Sequence, residues 1–281
     1  MKALDDSLFS RDSEFQKLLV GRRDVDVTRA ALELARDFES DLDFQPTLDW
    51  IQNCADELTA GVASAATDRI ALERLADSLA NRYGLHGTSE CFEAAESSLL
   101  PCVIESRQGL PITLSILYCA VAERLGIPLT IAPAPQHVIC RLVSDQTSLF
   151  VDPFNSGRIL TEEECYRWIQ ERTQLERNMI GPTLRPASPR MVIERMLMNL
   201  KNLYVQQEMW DRLWPVQYRL ALLNPSSVEA RRDLGITAAE AGRPGLAIDL
   251  LRECLPGVSG PEKEFMQRAI TAAESRLAKW N

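Results

Sequence analysis

His137 and Asp152 are the two side chains of this sequence best suited to act together in chemistry. An imidazole exchanges protons near neutral pH, and a neighbouring carboxylate fixes its tautomer and orientation. With a nucleophile beside them, the pair would serve acyl transfer: the nucleophile attacks a carbonyl, the histidine takes its proton and the acid holds the histidine. A thiol for that role belongs at the head of a buried helix, where the dipole lowers its pKa. The candidates near such a helix start are Thr113, Ser115, Cys119 and the preceding Cys102. Ser115 lies one turn deep, where a serine commonly bonds back to its own helix. Cys119 lies deeper and is expected to be packed.

Arg107, just before that helix, and Arg141, two residues beyond Ile139, could bind an anion or hold Asp152, and pairing of Arg141 with an acid is the favoured reading. Asn155 and Ser156 could donate hydrogen bonds beside the cleft, whose remaining lining would be Pro111, Thr113 and Gln136. The only other histidine is His86, and none of the seven cysteines forms a C-x-x-C pair, so neither a metal nor a cofactor is expected.

Several elements must position these residues. Residues 1–90 read as helical. Ala31, Leu34, Ala35 and Phe38 recur at helical spacing, with Asp26 or Thr28 as cap. A second helix opens at Pro46 with Leu48, Ile51, Cys54 and Leu58 inward, and a third spans 68–83 before Gly84. Pro111 then opens the run ITLSILYCAVAERL, apolar on nearly every face, so this helix is expected to be central. LTIAP, HVICRLV and SLFVDP read as an antiparallel meander. Closing the second hairpin with Ser144 opposite Thr147 sets Ile139 against Asp152, which makes His137 and Asp152 diagonal neighbours on one face. Asp152 to Gly157 reads as a turn-rich exit, and Thr161 with Glu164 as a capping box for the next helix. Pro182, Pro186 and Pro189 mark a linker. Beyond it, a shift of 34 residues superposes Leu200 on Leu234, Leu213 on Ala247, Trp214 on Ile248 and Val216 on Leu250, the period of tetratricopeptide helix pairs.

These readings give an α+β fold, mostly helical: an N-terminal helical layer (1–64), a core domain with a small antiparallel sheet (65–180) and an all-α repeat module (188–281). The formal net charge of -9 opposes non-specific binding to nucleic acid or to anionic membranes. Asp5, Asp6, Asp12 and Glu14 interrupt the N-terminus, so no signal peptide is expected, and no run reaches the ~18 apolar residues of a membrane span. A cytoplasmic protein with reduced core thiols is the expectation.

The run ESRQGLPITLSILYCAVAERLGIPL, then Gln136-His137, then the string from Val151 to Gly157, resembles bacterial SirB-type proteins. That family is assigned to the transglutaminase-like (papain-like) superfamily and carries tetratricopeptide-type helices at its C-terminus. The resemblance implies that His137 and Asp152 occupy the superfamily's histidine and acid positions. It implies also that the nucleophilic cysteine, about fifteen residues before Gly126, is replaced by Pro111. Gln136 and Val138 stand where the family commonly has Gly and Phe; Leu85-His86-Gly87-Thr88 and Ser97-Ser98 depart from it as well. The expected function is non-catalytic binding or scaffolding of a protein or peptide partner. The alternative is an amide or thioester hydrolase, or an acyltransferase, using Ser115 or a cysteine.

Overall fold

The computed structural model describes residues 4–142 and 148–278. The expected Ser144–Thr147 turn lies outside the described residues. The described helices are α1 (Ser13–Leu19), α2 (Val27–Ala35), α3 (Gln45–Ala63), α4 (Asp68–Asp77), α5 (Leu100–Ser106), α6 (Pro111–Arg124), α7 (Glu162–Thr173), α8 (Arg177–Ile180), α9 (Pro189–Gln206), α10 (Trp210–Leu223), α11 (Val228–Glu240), α12 (Pro244–Cys254) and α13 (Gly260–Ala278). Four strands, β1 (Leu129–Ala132), β2 (Ile139–Leu142), β3 (Leu149–Asp152) and β4 (Arg158–Thr161), form one antiparallel sheet in sequence order. The fold is α+β: a mostly helical part that contains the small antiparallel sheet, followed by the helices α9 to α13.

The chain divides into two compact units, one of residues 23–196 and one that joins residues 1–22 to residues 197–281. In the first, Asp26 caps α2 by accepting from the Arg29 amide at 3.0 Å. Pro46 stands in the first turn of α3, and Ile51, Cys54 and Leu58 of that helix are buried. α6 begins with Pro111, and eleven of its fourteen residues are buried, so it is enclosed on nearly every side. The third helix runs as expected but changes type: α4 continues as a π-helix over Ser78–Arg82, and Gly84 then turns the chain with φ +75°.

The β2–β3 register is the one expected from the sequence, with Cys140 opposite Val151 and Leu142 opposite Leu149. Two local differences matter. β2 starts at Ile139, so His137 stands in the turn before the strand; the preceding prolines, Pro133 and Pro135, cannot donate to a ladder. The stretch read as a turn running straight into a helix contains β4, which pairs along β3 from Leu149–Thr161 to Asp152–Arg158. Thr161 and Glu164 do form the capping box of α7.

In the second unit, every residue superposed by the 34-residue shift is buried: Leu200 and Leu234, Leu213 and Ala247, Trp214 and Ile248, Val216 and Leu250. Pro215 sits inside α10, near its start. Tyr218 donates to the Asp5 carbonyl at 2.8 Å, and Phe9 meets the Tyr218 ring edge-on at 5.9 Å, tying the segment from Asp5 to Phe9 to α10.

Candidate functional site

The turn before β2 delivers His137 to the end of β3. Gln136, with φ +59°, reverses the chain, and the His137 amide donates to the Ala134 carbonyl at 3.0 Å. His137 Nε2 donates to Asp152 Oδ1 at 2.9 Å, and both side chains are buried. The carboxylate thereby fixes the orientation of the ring. Asp152 is held further by Asn155, whose side-chain amide donates to Oδ2 at 2.6 Å and whose backbone N–H donates to Oδ1 at 3.3 Å. Two rings meet the imidazole edge-on, Trp168 of α7 at 5.2 Å and Phe154 at 5.7 Å, and Phe92 lies tilted against Phe154 at 5.7 Å.

Strand alternation sorts the other candidates. Ile139 and Phe150 pack with Cys165 and Ile169 of α7. By register Asp152 belongs to that face, where Trp168 also meets His137. Cys140, the next residue along β2, turns the other way, onto α6. Its sulfur lies 3.7 Å from the Ser115 carbonyl and 3.7 Å from the Cys119 sulfur. Ser115 and Cys119 therefore pack against the sheet face opposite to the one that bears Asp152. Ser115, wholly buried, donates its hydroxyl to the Pro111 carbonyl at 2.7 Å. Thr113 is equally buried and its hydroxyl has no hydrogen-bond partner.

Of the residues read as cleft lining, Gln136 and Asn155 are exposed, and Asn155 joins the His137–Asp152 pair. Arg141, read as a partner for an acid, reaches the Ser148 hydroxyl at 3.1 Å and the Leu184 carbonyl at 3.4 Å instead, with its guanidinium 5.9 Å from the centre of the Phe150 ring. Arg107 ends α5 in the left-handed region (φ 66°) and lays its guanidinium 5.8 Å from the centre of the Trp50 ring. Burial pushes the Cys54 thiol up to about 11 and Cys165 up to about 12, and raises Cys102 and Cys254, so these four are neutral thiols near pH 7.

Sequence reasoning missed the aromatic walls. Trp168 carries no local signal, because α7 looks like any polar helix. Phe154 has one: the glycine at 87. The Gly87 amide donates to the Phe154 carbonyl at 2.9 Å, and a Cβ on Gly87 would fall 1.8 Å from the Phe154 ring. Gly87→Ala must displace Phe154 from His137 and is expected to cost about 1–3 kcal/mol in urea unfolding; an unchanged midpoint would contradict this packing.

Residues 45–198 match the family described as the transglutaminase-like superfamily, and residues 200–278 match the tetratricopeptide repeat. Two proteins of Xylella fastidiosa, strains 9a5c and Temecula1 / ATCC 700964, each called "UPF0162 protein", are 34% identical over 231 and 235 residues, covering 79% of this chain and 80% of theirs. A crystal structure of menin that reveals its binding site for Mixed Lineage Leukemia (MLL) protein aligns with TM-score 0.36 and 12% identity over 93% of this chain and 81% of that one, a level that carries no argument.

Proposed function

The chain belongs to the transglutaminase-like superfamily, and from that premise we propose that it is a non-catalytic descendant of the SirB type, a cytoplasmic pseudoenzyme that binds or scaffolds a protein or peptide. Residues 65–180 supply the cleft in this reading and residues 188–281 the repeat surface; tetratricopeptide repeats generally mediate protein–protein interaction. His137 and Asp152 are the inherited base and acid, and Pro111 occupies the place of the lost thiol. One observation carries the proposal: at the head of α6, where a nucleophile would stand, there is an imino acid whose carbonyl already takes the Ser115 hydroxyl at 2.7 Å. The cytoplasmic assignment rests on seven cysteines that are all free thiols.

The second reading, a hydrolase or acyltransferase acting on an amide or thioester, is favoured by the intact 2.9 Å His137–Asp152 hydrogen bond. It requires Ser115 to abandon its helix, or a cysteine to approach Nδ1.

Introducing a thiol by Pro111→Cys tests the lost-nucleophile reading. Alkylation at that position, followed by peptide mass, is expected to titrate below the ordinary thiol value of about 8.5 and to return toward it when His137→Ala is added. A thiol that titrates normally and ignores His137 would refute the assignment of Pro111 to the nucleophile position.

A further inference from the structure

We propose that Cys119 and Cys140 are a redox dithiol that hydroperoxides convert to a disulfide bridging α6 and β2. Their sulfurs stand 3.7 Å apart, and no other two cysteines among the described residues bond each other. The elements that carry them are not loops. α6 is buried on nearly every face, and β2 is an inner strand, hydrogen-bonded to β1 on one side and β3 on the other. The two thiols are thus held together by the centre of the fold, and a disulfide bond of about 2.0 Å needs their side-chain torsions to bring the sulfurs closer. Exposure differs between them: Cys119 is partly exposed, whereas Cys140 is fully buried. This asymmetry assigns the order of reaction.

The Cys119 sulfur attacks one oxygen of the hydroperoxide. The O–O bond breaks, water or an alcohol leaves, and Cys119 becomes a sulfenic acid. The Cys140 sulfur then attacks the Cys119 sulfur, the S–O bond breaks and water leaves. The two thiols together lose two electrons and two protons, and the hydroperoxide gains both. The Cys140 thiol beside it and burial hold Cys119 well above its ordinary value, so attack by its sulfur is slow and the bridge forms only under sustained hydroperoxide. The bridge would fasten β2 to α6 three residues after His137, on the opposite sheet face.

The test treats the full, reduced chain with hydrogen peroxide, then alkylates in denaturant and maps peptides by mass. The expected result is a fall in alkylatable thiols from seven to five, a linked Cys119–Cys140 peptide, and recovery with dithiothreitol. Cys119→Ser should abolish the linked peptide, and Cys102→Ser should leave it unchanged. Retention of all seven thiols, sulfinic acid at Cys119 with Cys140 still alkylatable, or a disulfide elsewhere would overturn the proposal. Should Cys119→Ser fail to fold, the wild-type chain answers with phenylarsine oxide, which bridges adjacent thiols. Protection of both Cys119 and Cys140 from alkylation supports the dithiol, and protection of neither refutes it.

Discussion

Arg219→Ala is expected to destabilise the unit formed by residues 1–22 and 197–281 by about 3–5 kcal/mol. Arg219, on α10, is fully buried. Its Nη2 donates to Asp12 Oδ2 at 2.5 Å, and its guanidinium carbon lies 3.9 Å from the centre of the Phe9 ring and 4.6 Å from that of Phe15. Removing the cation deprives a buried carboxylate of a charged partner and two rings of the charge beside them, all at once. Arg219→Lys keeps the charge but not the planar fork, so it should recover only part of the loss. Removing residues 1–22 strips the same partners from the other side and should cost at least as much. Urea unfolding followed by far-ultraviolet circular dichroism reads all three; a loss below about 1 kcal/mol for Arg219→Ala would contradict this account of how the unit is held.

His137→Ala should cost the sheet-containing unit about 3 kcal/mol, and Asp152→Ala less, about 1–3 kcal/mol. The order follows from what each leaves behind. Without His137, the Asp152 carboxylate stays buried with only Asn155, among the described residues, to donate to it, and the Trp168 and Phe154 rings lose their contact with the imidazole. Without Asp152, the His137 ring nitrogen and the Asn155 amide lose an acceptor, and Asn155, exposed, can turn to water. The reverse order in equilibrium unfolding would mean that Asp152 takes its main stabilisation from elsewhere.

The parts of this molecule that follow from local pattern were legible in the sequence. Pro111 and the all-round apolar run after it specify the enclosed helix α6, and setting Ser144 opposite Thr147 gives the β2–β3 register that makes neighbours of His137 and Asp152. The 34-residue period shows the repeats because each helix pair buries equivalent positions. What was not legible depends on distant partners. β4 has four residues and ends in a helix cap, so its strand character comes from pairing with β3. Arg219 reads as an ordinary helix-surface cation until Asp12, Phe9 and Phe15 close over it from the other end of the chain. Arg141 reads as a partner for an acid because the Leu184 carbonyl, which it reaches at 3.4 Å, lies 43 residues away. Trp168 lines the site through the packing of α7, which no periodicity encodes.

Covalent labelling of the intact wild-type chain, compared with His137→Ala, tests most directly whether this site has given up chemistry. Thiol- and hydroxyl-directed active-site probes should mark the two proteins alike, at the slow rate of ordinary side chains, because the Ser115 hydroxyl is spent on Pro111, Cys119 and Cys140 pack on the other sheet face, and burial keeps the Cys165 thiol neutral. Rapid labelling of a single Ser, Thr or Cys that vanishes with His137→Ala would contradict the account and identify a working nucleophile.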